Sequence, residues 1–316
     1  MEKPTISIWE KNIIQMNLHP SLCILILITF MLKKIYEESL HSYILTVKIL
    51  IVLFSITCFD HILKPFYTYE HHQSDGTIVI KRNLMLNSWF PYDTKTHFWK
   101  TYILQSFWAL ALGSGIFFSY FVVFCLFFYA IAQLRIINYI MNNFKTYQSK
   151  IAFKELQIDS AESMFKFCIE KHQHIIKFIG NVNKALGLVI LVDFLQNSIQ
   201  MTCILVQILE SDDFSFAVIL YEANFIVLII CRLCVLYYNG NKITLLSELL
   251  ANTAYQLNWY DESQRFKFML NMFLLRCRKP LFIKMGPFGS IGLPAIISVL
   301  KATYSYVMLI INKSQE

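Results

Sequence analysis

The distribution of apolar residues along the chain predicts helices that cross a membrane. No Asp, Glu, Lys or Arg lies between Lys100 and Arg135, and a helix needs only about 20 apolar residues to cross the hydrocarbon core of a bilayer. Residues 107–132 therefore form the clearest predicted span. Four further segments have the same character, and a sixth is diluted by polar residues near its start: 43–59, 185–209, 214–231, 285–312 and 12–32. The pattern predicts six spans in all.

These spans predict an all-α fold, a polytopic bundle of transmembrane helices. In lipid, only helices and closed barrels satisfy every backbone polar group, and the segments lack the alternation of apolar and polar residues that barrel strands show. The composition agrees, because 56% of the residues are hydrophobic and 16% are charged, whereas a soluble domain has roughly 25% charged residues. Soluble globular and disordered chains are therefore excluded.

Charge in the connecting segments predicts which of them face the cytoplasm. Residues 133–184 carry eight basic and four acidic side chains, residues 232–284 carry eight and three, and the turn at 210–213 carries three acids and no base. Because positively charged loops stay in the cytoplasm, the two long segments are predicted inside, and the acidic turn and the C-terminus outside. Six spans then place the N-terminus outside and residues 33–41 in an internal turn, whereas seven spans place the N-terminus inside. The net charge of +7 lies mostly in these segments and needs no nucleic acid partner.

Motifs for catalysis and metal binding are missing from the sequence. It contains no phosphate-binding glycine loop, nucleophile elbow or zinc-protease motif, so neither an enzyme nor a cofactor is expected. Cys231 and Cys234 have C-x-x-C spacing, but a structural zinc site needs about four ligands, and small apolar side chains on a helix are the simpler interpretation. None of the eight Cys lies in a predicted outer loop, so no disulfide framework is expected.

Two acidic residues lie within predicted spans, Asp193 and Glu222. A charged side chain at the centre of a membrane helix costs about 2.5–3.5 kcal/mol on insertion scales. Such a residue can face a water-filled vestibule, line a cation path or anchor a ligand. Alternatively, it can lie near a membrane face or pair with a neighbouring hydroxyl group. The sequence leaves both interpretations open.

From Tyr237 onward the chain carries a series of motifs at fixed spacing. It begins YYNGNKITLLSELLANTAYQLNWYD, continues with LRCRKPL at 275–281, and ends with LPAIISVLKATYSYVMLIIN. This order resembles the C-terminal half of insect odorant receptors: an aromatic-x-Gly turn, Ser247, an Ala-Tyr pair, a Trp, a basic-basic-Pro-Leu step and a last helix with Tyr-Ser-Tyr. The tract Trp89-Phe90-Pro91-Tyr92-Asp93 is similar to that family's second outer loop. Gustatory receptors usually end the last helix on Gln-Phe, where this chain has Asn312-Lys313, so the odorant branch fits better.

The resemblance implies a function. Members of this family are seven-helix subunits with a cytoplasmic N-terminus, and they form tetrameric, ligand-gated, non-selective cation channels with a shared co-receptor. The chain would then be a tuning receptor rather than the co-receptor, would detect volatile apolar odorants, and would lie in the plasma membrane of sensory neuron dendrites. With one span fewer than seven, it is expected to lack the first helix. The alternatives are a gustatory-type channel of the same fold and a truncated, non-conducting membrane protein.

The resemblance also implies how the chain is organised. Residues 1–232 would form a transmembrane ligand-binding bundle with a cytoplasmic loop at 133–184. Residues 233–284 would form a cytoplasmic anchor for assembly, and residues 285–316 would form the pore-lining last helix and a short extracellular tail.

Three sets of site residues follow from this assignment. The pore would be lined by Val307, Leu309, Ile310 and Asn312, with lipid-facing positions as the alternative. Assembly would depend on Tyr255, Trp259 and Pro280, in what could otherwise be an ordinary amphipathic loop helix. The ligand pocket would be an aromatic cavity, with lipid or core contacts as the alternative, formed by Phe54, Trp108, Phe117, Tyr120, Tyr221 and Phe225.

Overall fold

The computed structural model describes residues 20–63, 69–72, 78–81, 89–94, 96–145, 161–210, 216–287 and 289–315. This part of the chain is helical apart from one hairpin, in which β1 pairs antiparallel with β2 and Tyr69 lies opposite Lys81. The elements in chain order are α1 (Pro20–Leu63), β1 (Tyr69–His72), β2 (Ile78–Lys81), α2 (Phe98–Asn142), α3 (Ala161–Glu210), α4 (Phe216–Tyr255), α5 (Gln264–Cys277) and α6 (Leu293–Gln315).

The long helices confirm the predicted class, an all-α bundle of transmembrane helices. Within the described residues, four helices are long and apolar enough to cross a membrane, and a shorter apolar stretch, Leu40–Ile56, lies in α1. The four are Phe98–Asn142, Ala161–Leu209, Glu222–Tyr255 and Pro294–Asn312. Each overlaps a predicted span: 107–132 and 185–209 lie entirely within their helices, whereas 214–231 and 285–312 overlap theirs in part. Hydropathy thus located the membrane-crossing segments approximately.

The helices extend well beyond the predicted spans. α3 has 50 residues, which at 1.5 Å per residue is about 75 Å, whereas the hydrocarbon core is only about 30 Å thick. Its first half, residues 161–184, belongs to the basic segment 133–184 that was predicted to face the cytoplasm. Lys, Glu and Gln are good helix formers, so the charges mark the edge of the membrane without ending the helix.

One predicted turn is wrong. Residues 12–32 and 43–59 were expected as separate spans joined at 33–41, but α1 is a single helix of 44 residues that runs through this segment. The segment 33–41 contains neither Gly nor Pro, the residues that most strongly interrupt a helix. Since α1 does not reverse direction there, the span count that placed the N-terminus outside loses its basis. Residues 12–19 lie outside the described part of the chain.

The chain divides into two compact units, and α1 to α4 each contribute a segment to both. Unit 1 comprises the start of α1 as far as Tyr43, together with Leu126–Gly187 and Asn239–Ile291. Unit 2 comprises Ile44–Cys125, Leu188–Tyr238 and the chain from Gly292 onward. Unit 1 thus contains most of the two basic segments, 133–184 and 232–284. The domain boundaries proposed at 232 and 284 concern function and remain predictions.

Unit 1 has an aromatic core. The ring centroids of Phe165 in α3 and Phe266 in α5 are 4.9 Å apart, and Phe144 lies 6.0 Å from Phe266. α5 begins after Ser263, whose hydroxyl oxygen accepts a hydrogen bond from the backbone N–H of Phe266 at 3.1 Å, the usual arrangement at a helix N-cap. The two basic segments that were predicted to face the cytoplasm therefore pack around a common aromatic core.

Motif residues of unit 1 have structural roles. The Ser247 hydroxyl accepts a hydrogen bond from the backbone N–H of Leu281 at 2.9 Å, which joins the serine motif to the Pro-Leu step. Gly240 does not form the expected turn, because it lies inside α4. A Cβ atom at Gly240 would lie 2.5 Å from Cγ2 of Ile291, so glycine permits a close approach between α4 and the loop before α6.

Candidate functional site

Unit 2 contains a cavity of about 310 Å³, within the range of small-molecule sites. Residues of α1, α2, α3 and α4 form its wall. Most of its surface is aliphatic or aromatic, with a few polar groups: Leu50, Leu53, Phe54, Cys58, Ile62, Ser106, Ala109, Leu110, Leu112, Gly113, Ile116, Phe117, Tyr120, Gln196, Gln200, Phe225, Leu228, Ile229 and Arg232. A predominantly apolar wall with a few polar groups suits a small, mostly apolar ligand.

Four residues of the predicted pocket line this cavity: Phe54, Phe117, Tyr120 and Phe225. The rings of Phe54 and Phe117 lie 5.3 Å apart between centroids in a tilted arrangement. Gly113, one turn before Phe117, gives the Phe54 ring room, since a Cβ atom there would lie 3.0 Å from Cε2 of Phe54. The structure brings these aromatic residues together from α1, α2 and α4.

The other two predicted pocket residues are not seen in the wall. Trp108 is absent from the described lining and its side chain is 56% exposed. On α2 the lining positions include Ser106, Ala109, Gly113 and Tyr120, a spacing that defines one face of a helix, and Trp108 falls on another face. The side chain of Tyr221 lies outside the described residues.

A cluster of polar side chains adjoins the cavity. The Tyr120 hydroxyl donates to Asp193 Oδ1, and the Arg232 Nη2 group donates to Asn197 Oδ1. The Arg232 guanidinium also lies over the Tyr120 ring, 4.8 Å from its centroid, and 4.0 Å from Asp193 Oδ1. We call Tyr120, Asp193, Asn197 and Arg232 the polar cluster; it connects α2, α3 and α4.

The cluster answers the question that the sequence left open for Asp193. The carboxylate pairs with a hydroxyl neighbour and with a cation, and two of its partners, Tyr120 and Arg232, line the cavity. Glu222, the second acid within a span, is buried in α4 at 5% exposure.

Arg232 is the residue that the sequence interpretation missed. It was taken as the first charge of a cytoplasmic loop, yet it lies inside α4 (Phe216–Tyr255) and lines the cavity. The signal for it was Asp193: an acid within a span requires a partner, and an arginine at the end of the neighbouring apolar run can supply one. Gln196 and Gln200, one turn apart on α3, are further polar lining residues that were not predicted.

α6 separates the predicted pore residues onto different faces. Val307 is buried, and with Ala295, Val299 and Thr303 it forms a stripe of buried positions four residues apart. Leu309 is 65% exposed, and Asn312 is also exposed. Ile310 is 37% exposed.

One stripe along the exposed surface of α6 is rich in polar residues, whereas most other exposed positions of this helix are apolar or aromatic. Ser298, Lys301, Ser305, Leu309 and Asn312 are all exposed, and their spacing of three to four residues puts them on one side of the helix. We call these five residues the outer stripe. Lipid favours apolar side chains, so the outer stripe differs in character from the rest of the exposed surface of α6.

The predicted assembly residues lie in unit 1. Tyr255 is 59% exposed, Trp259 is half-buried, and the Trp259 ring stacks on exposed Tyr260 at a centroid distance of 4.0 Å. Pro280 is half-buried in the loop after α5. The structure thus exposes an aromatic group at the predicted position.

α5 has two apolar faces. Phe266, Leu270, Phe273 and Cys277 are buried, and burial raises the pKa of the Cys277 thiol to about 12, a rise that neighbouring Arg276 opposes. Phe268, Met272 and Leu275 form a second apolar face and are exposed. Exposed apolar patches on soluble surfaces mark contact sites for other proteins.

The described residues contain no group of three or more His, Cys, Asp or Glu placed to hold a metal ion.

The fold and the site define a class: a multi-pass helical membrane protein with a small, mostly apolar cavity between its helices. A family model described as 7tm Odorant receptor matches residues 31–304. The chain belongs to this odorant receptor family.

Individual relatives agree with this assignment. The chain is 24% identical over 159 residues to the odorant receptor coreceptor of Aedes aegypti, an alignment that covers 50% of this chain and 32% of the relative. It is likewise 24% identical over 159 residues to odorant receptor 63a of Drosophila melanogaster, covering 50% of this chain and 38% of the relative. The aligned segment thus spans about a third of the length of these relatives.

The fold is also that of a solved receptor. The structure of the insect olfactory receptor OR5 from Machilis hrabei superposes with a TM-score of 0.67 at 13% identity, covering 88% of this chain and 69% of that one. The structure of the same receptor in complex with eugenol gives a TM-score of 0.65 at 12% identity, covering 89% and 68%. At this identity the likeness establishes a shared fold.

Proposed function

We propose that the chain is an odorant-detecting tuning subunit of a ligand-gated, non-selective cation channel. The observation that carries the proposal is the cavity of about 310 Å³ in unit 2, with an apolar wall and few polar groups. Volatile odorants are small and mostly apolar, and a site of this size and polarity suits them. Family membership and the eugenol complex of a structural relative support the same conclusion.

In this proposal, the ligand acts by shifting an equilibrium between closed and open states. It opens the channel only to the extent that it binds the open state more tightly. The cavity wall is formed by four long helices, so a ligand that changes their packing changes the population of the two states. Phe54, Phe117, Tyr120 and Phe225 would provide the main contacts.

The pore would be lined by the outer stripe of α6. Leu309 would form an apolar constriction that closes by dewetting, and Asn312 would add a neutral ring of hydrogen-bonding groups. The exposure of both residues supports this role. Val307 faces the core of unit 2, so its contribution would be to hold α6 in place.

Assembly with a co-receptor subunit into a heterotetramer would use unit 1. Its basic charge favours a cytoplasmic position, where the exposed apolar face of α5 and the aromatic group around Trp259 would be covered by a neighbouring subunit. Aromatic residues contribute disproportionately to the free energy of such interfaces. The complex would reside in the plasma membrane of sensory neuron dendrites.

Calcium imaging tests this function directly. Cells that express the chain with an odorant co-receptor should show calcium influx on exposure to volatile apolar compounds, whereas cells that express the co-receptor alone should not respond to the same compounds. The surface amount of the chain, measured with an epitope tag, serves as the control for trafficking. A chain that reaches the surface and never responds, with or without the co-receptor, would contradict the proposal and favour a non-conducting membrane protein.

A further inference from the structure

The polar cluster leaves polar atoms without a hydrogen-bond partner next to the cavity. Among the described residues, Asp193 Oδ2 and Arg232 Nε are buried and have no partner. A buried polar atom without a partner is unfavourable, particularly when it belongs to a charged group. Arg232 lines the cavity and its guanidinium has five N–H donors, so it is the charged group on the wall that can donate to a ligand.

The other groups of the cluster are engaged with one another. Tyr120 donates its hydroxyl hydrogen to Asp193, and Asn197 donates to the backbone oxygen of Asp193 at 2.6 Å. Tyr120 therefore has no free hydrogen for a ligand while this bond persists. Within the polar cluster, the guanidinium of Arg232 is therefore the donor that lines the cavity and remains for a ligand.

Charge balance selects the kind of acceptor. The positive charge of Arg232 and the negative charge of Asp193, 4.0 Å apart, compensate each other. A carboxylate ligand would leave a net negative charge in a mostly apolar site, and an ammonium ligand would leave a net positive one, both of which are costly in a medium of low dielectric constant. A neutral acceptor oxygen accepts the hydrogen bond without disturbing this balance.

We propose that the cavity takes a neutral, apolar ligand with one acceptor oxygen, such as that of a ketone, and that this oxygen accepts a hydrogen bond from Arg232. The inference rests on the proposed odorant-binding function and specifies its ligand class. A volume of about 310 Å³ equals that of roughly ten waters in the liquid, which allows a ligand of on the order of ten non-hydrogen atoms. Aliphatic ketones of medium chain length meet these conditions.

Octan-2-one, nonane and octanoate form a matched set of probes for this inference. Purified chain in complex with the co-receptor is titrated with each probe, and binding is measured as thermal stabilisation in detergent. Calcium influx is measured in parallel in cells. The ketone should act at a concentration at least about tenfold lower than nonane or octanoate, which is the effect expected of one hydrogen bond to a charged group.

The double variant Asp193→Asn/Arg232→Met tests the role of the guanidinium. It removes both charges together, because Arg232→Met alone would leave a buried carboxylate unpaired and could prevent folding. The advantage of ketone over nonane, taken as the ratio of the two binding constants within the same variant, should disappear. Leu228→Ala is the control: it removes an apolar side chain from the wall and should weaken the binding of both probes to a similar degree.

Each outcome of these measurements either supports or overturns the proposed contact between Arg232 and the ligand. Equal binding of ketone and nonane, stronger binding of octanoate, no binding of any probe, or a ketone preference that survives in the double variant would overturn the inference. Odorant-evoked calcium influx in any of those cases would still support the proposed function. Conversely, ketone binding that depends on Arg232 but evokes no current would uphold the inference and contradict the channel function.

Discussion

At the scale of single residues, the structure shows which contacts the motif residues make. Ser247 and Leu281 belong to motifs 34 residues apart, and one hydrogen bond of 2.9 Å joins them in the core of unit 1. The sequence predicted that these residues matter, but not that they meet. Arg232 shows the same limit, because its partner Asp193 lies on another helix, and pairing between helices depends on tertiary packing.

Gly240 gives a prediction at this scale. The change Gly240→Ala should destabilise unit 1 by about 1–3 kcal/mol, the usual cost of overpacking a core, because the new Cβ atom would lie 2.5 Å from Cγ2 of buried Ile291. Thermal unfolding in detergent measures the effect. Gly115→Ala is the matched control, since no atom lies within 4 Å of its added Cβ, and it should be neutral or slightly stabilising. If both variants unfold at the same temperature as the native chain, the close approach is not a constraint.

At the scale of whole helices, hydropathy predicts where the chain crosses the membrane but not where each helix begins and ends. Hydropathy located the spans in α2, α3, α4 and α6, because the cost of burying charge in lipid is large. It could not give the helix ends, since charged residues continue a helix in water as readily as apolar ones. This is why α1 runs through 33–41, and why residues 161–184 are helical.

The exposed and buried faces of α6 lead to a prediction about ion permeation. Leu309→Ala should increase current in the absence of ligand and raise the permeability of N-methyl-D-glucamine relative to sodium, because a smaller side chain widens an apolar constriction. Reversal potentials under bi-ionic conditions measure this ratio. Val307→Ala removes a side chain from the opposite, buried face, so it should reduce stability and leave the permeability ratio unchanged. The reverse pattern would show that the outer stripe does not line the pore.

At the scale of the whole molecule, the described residues of both units expose many large apolar side chains. Exposed apolar residues in unit 2 are expected to contact lipid, but the basic charge of unit 1 favours a position in water, where an exposed apolar face needs another protein surface. The sequence predicted assembly through Tyr255 and Trp259 from family resemblance. The second face of α5 was not predicted, because apolar residues on both sides of a helix give no periodic signal that separates core from interface.

From the exposed apolar face of α5 we predict how a substitution there affects assembly with a second subunit. Leu275 is 56% exposed, so Leu275→Glu should leave the core of unit 1 intact while placing a charge in the proposed subunit contact, where an unpaired buried charge is strongly unfavourable. In the proposed complex, co-purification of the chain with an odorant co-receptor should fall at least about tenfold, the counterpart of roughly 1.4 kcal/mol. Gln173→Glu introduces the same charge at an exposed position of α3 and should co-purify as the native chain does. An unchanged yield for Leu275→Glu would mean that subunits associate through another surface, whereas equal loss in both variants would point to net charge rather than to the apolar face of α5.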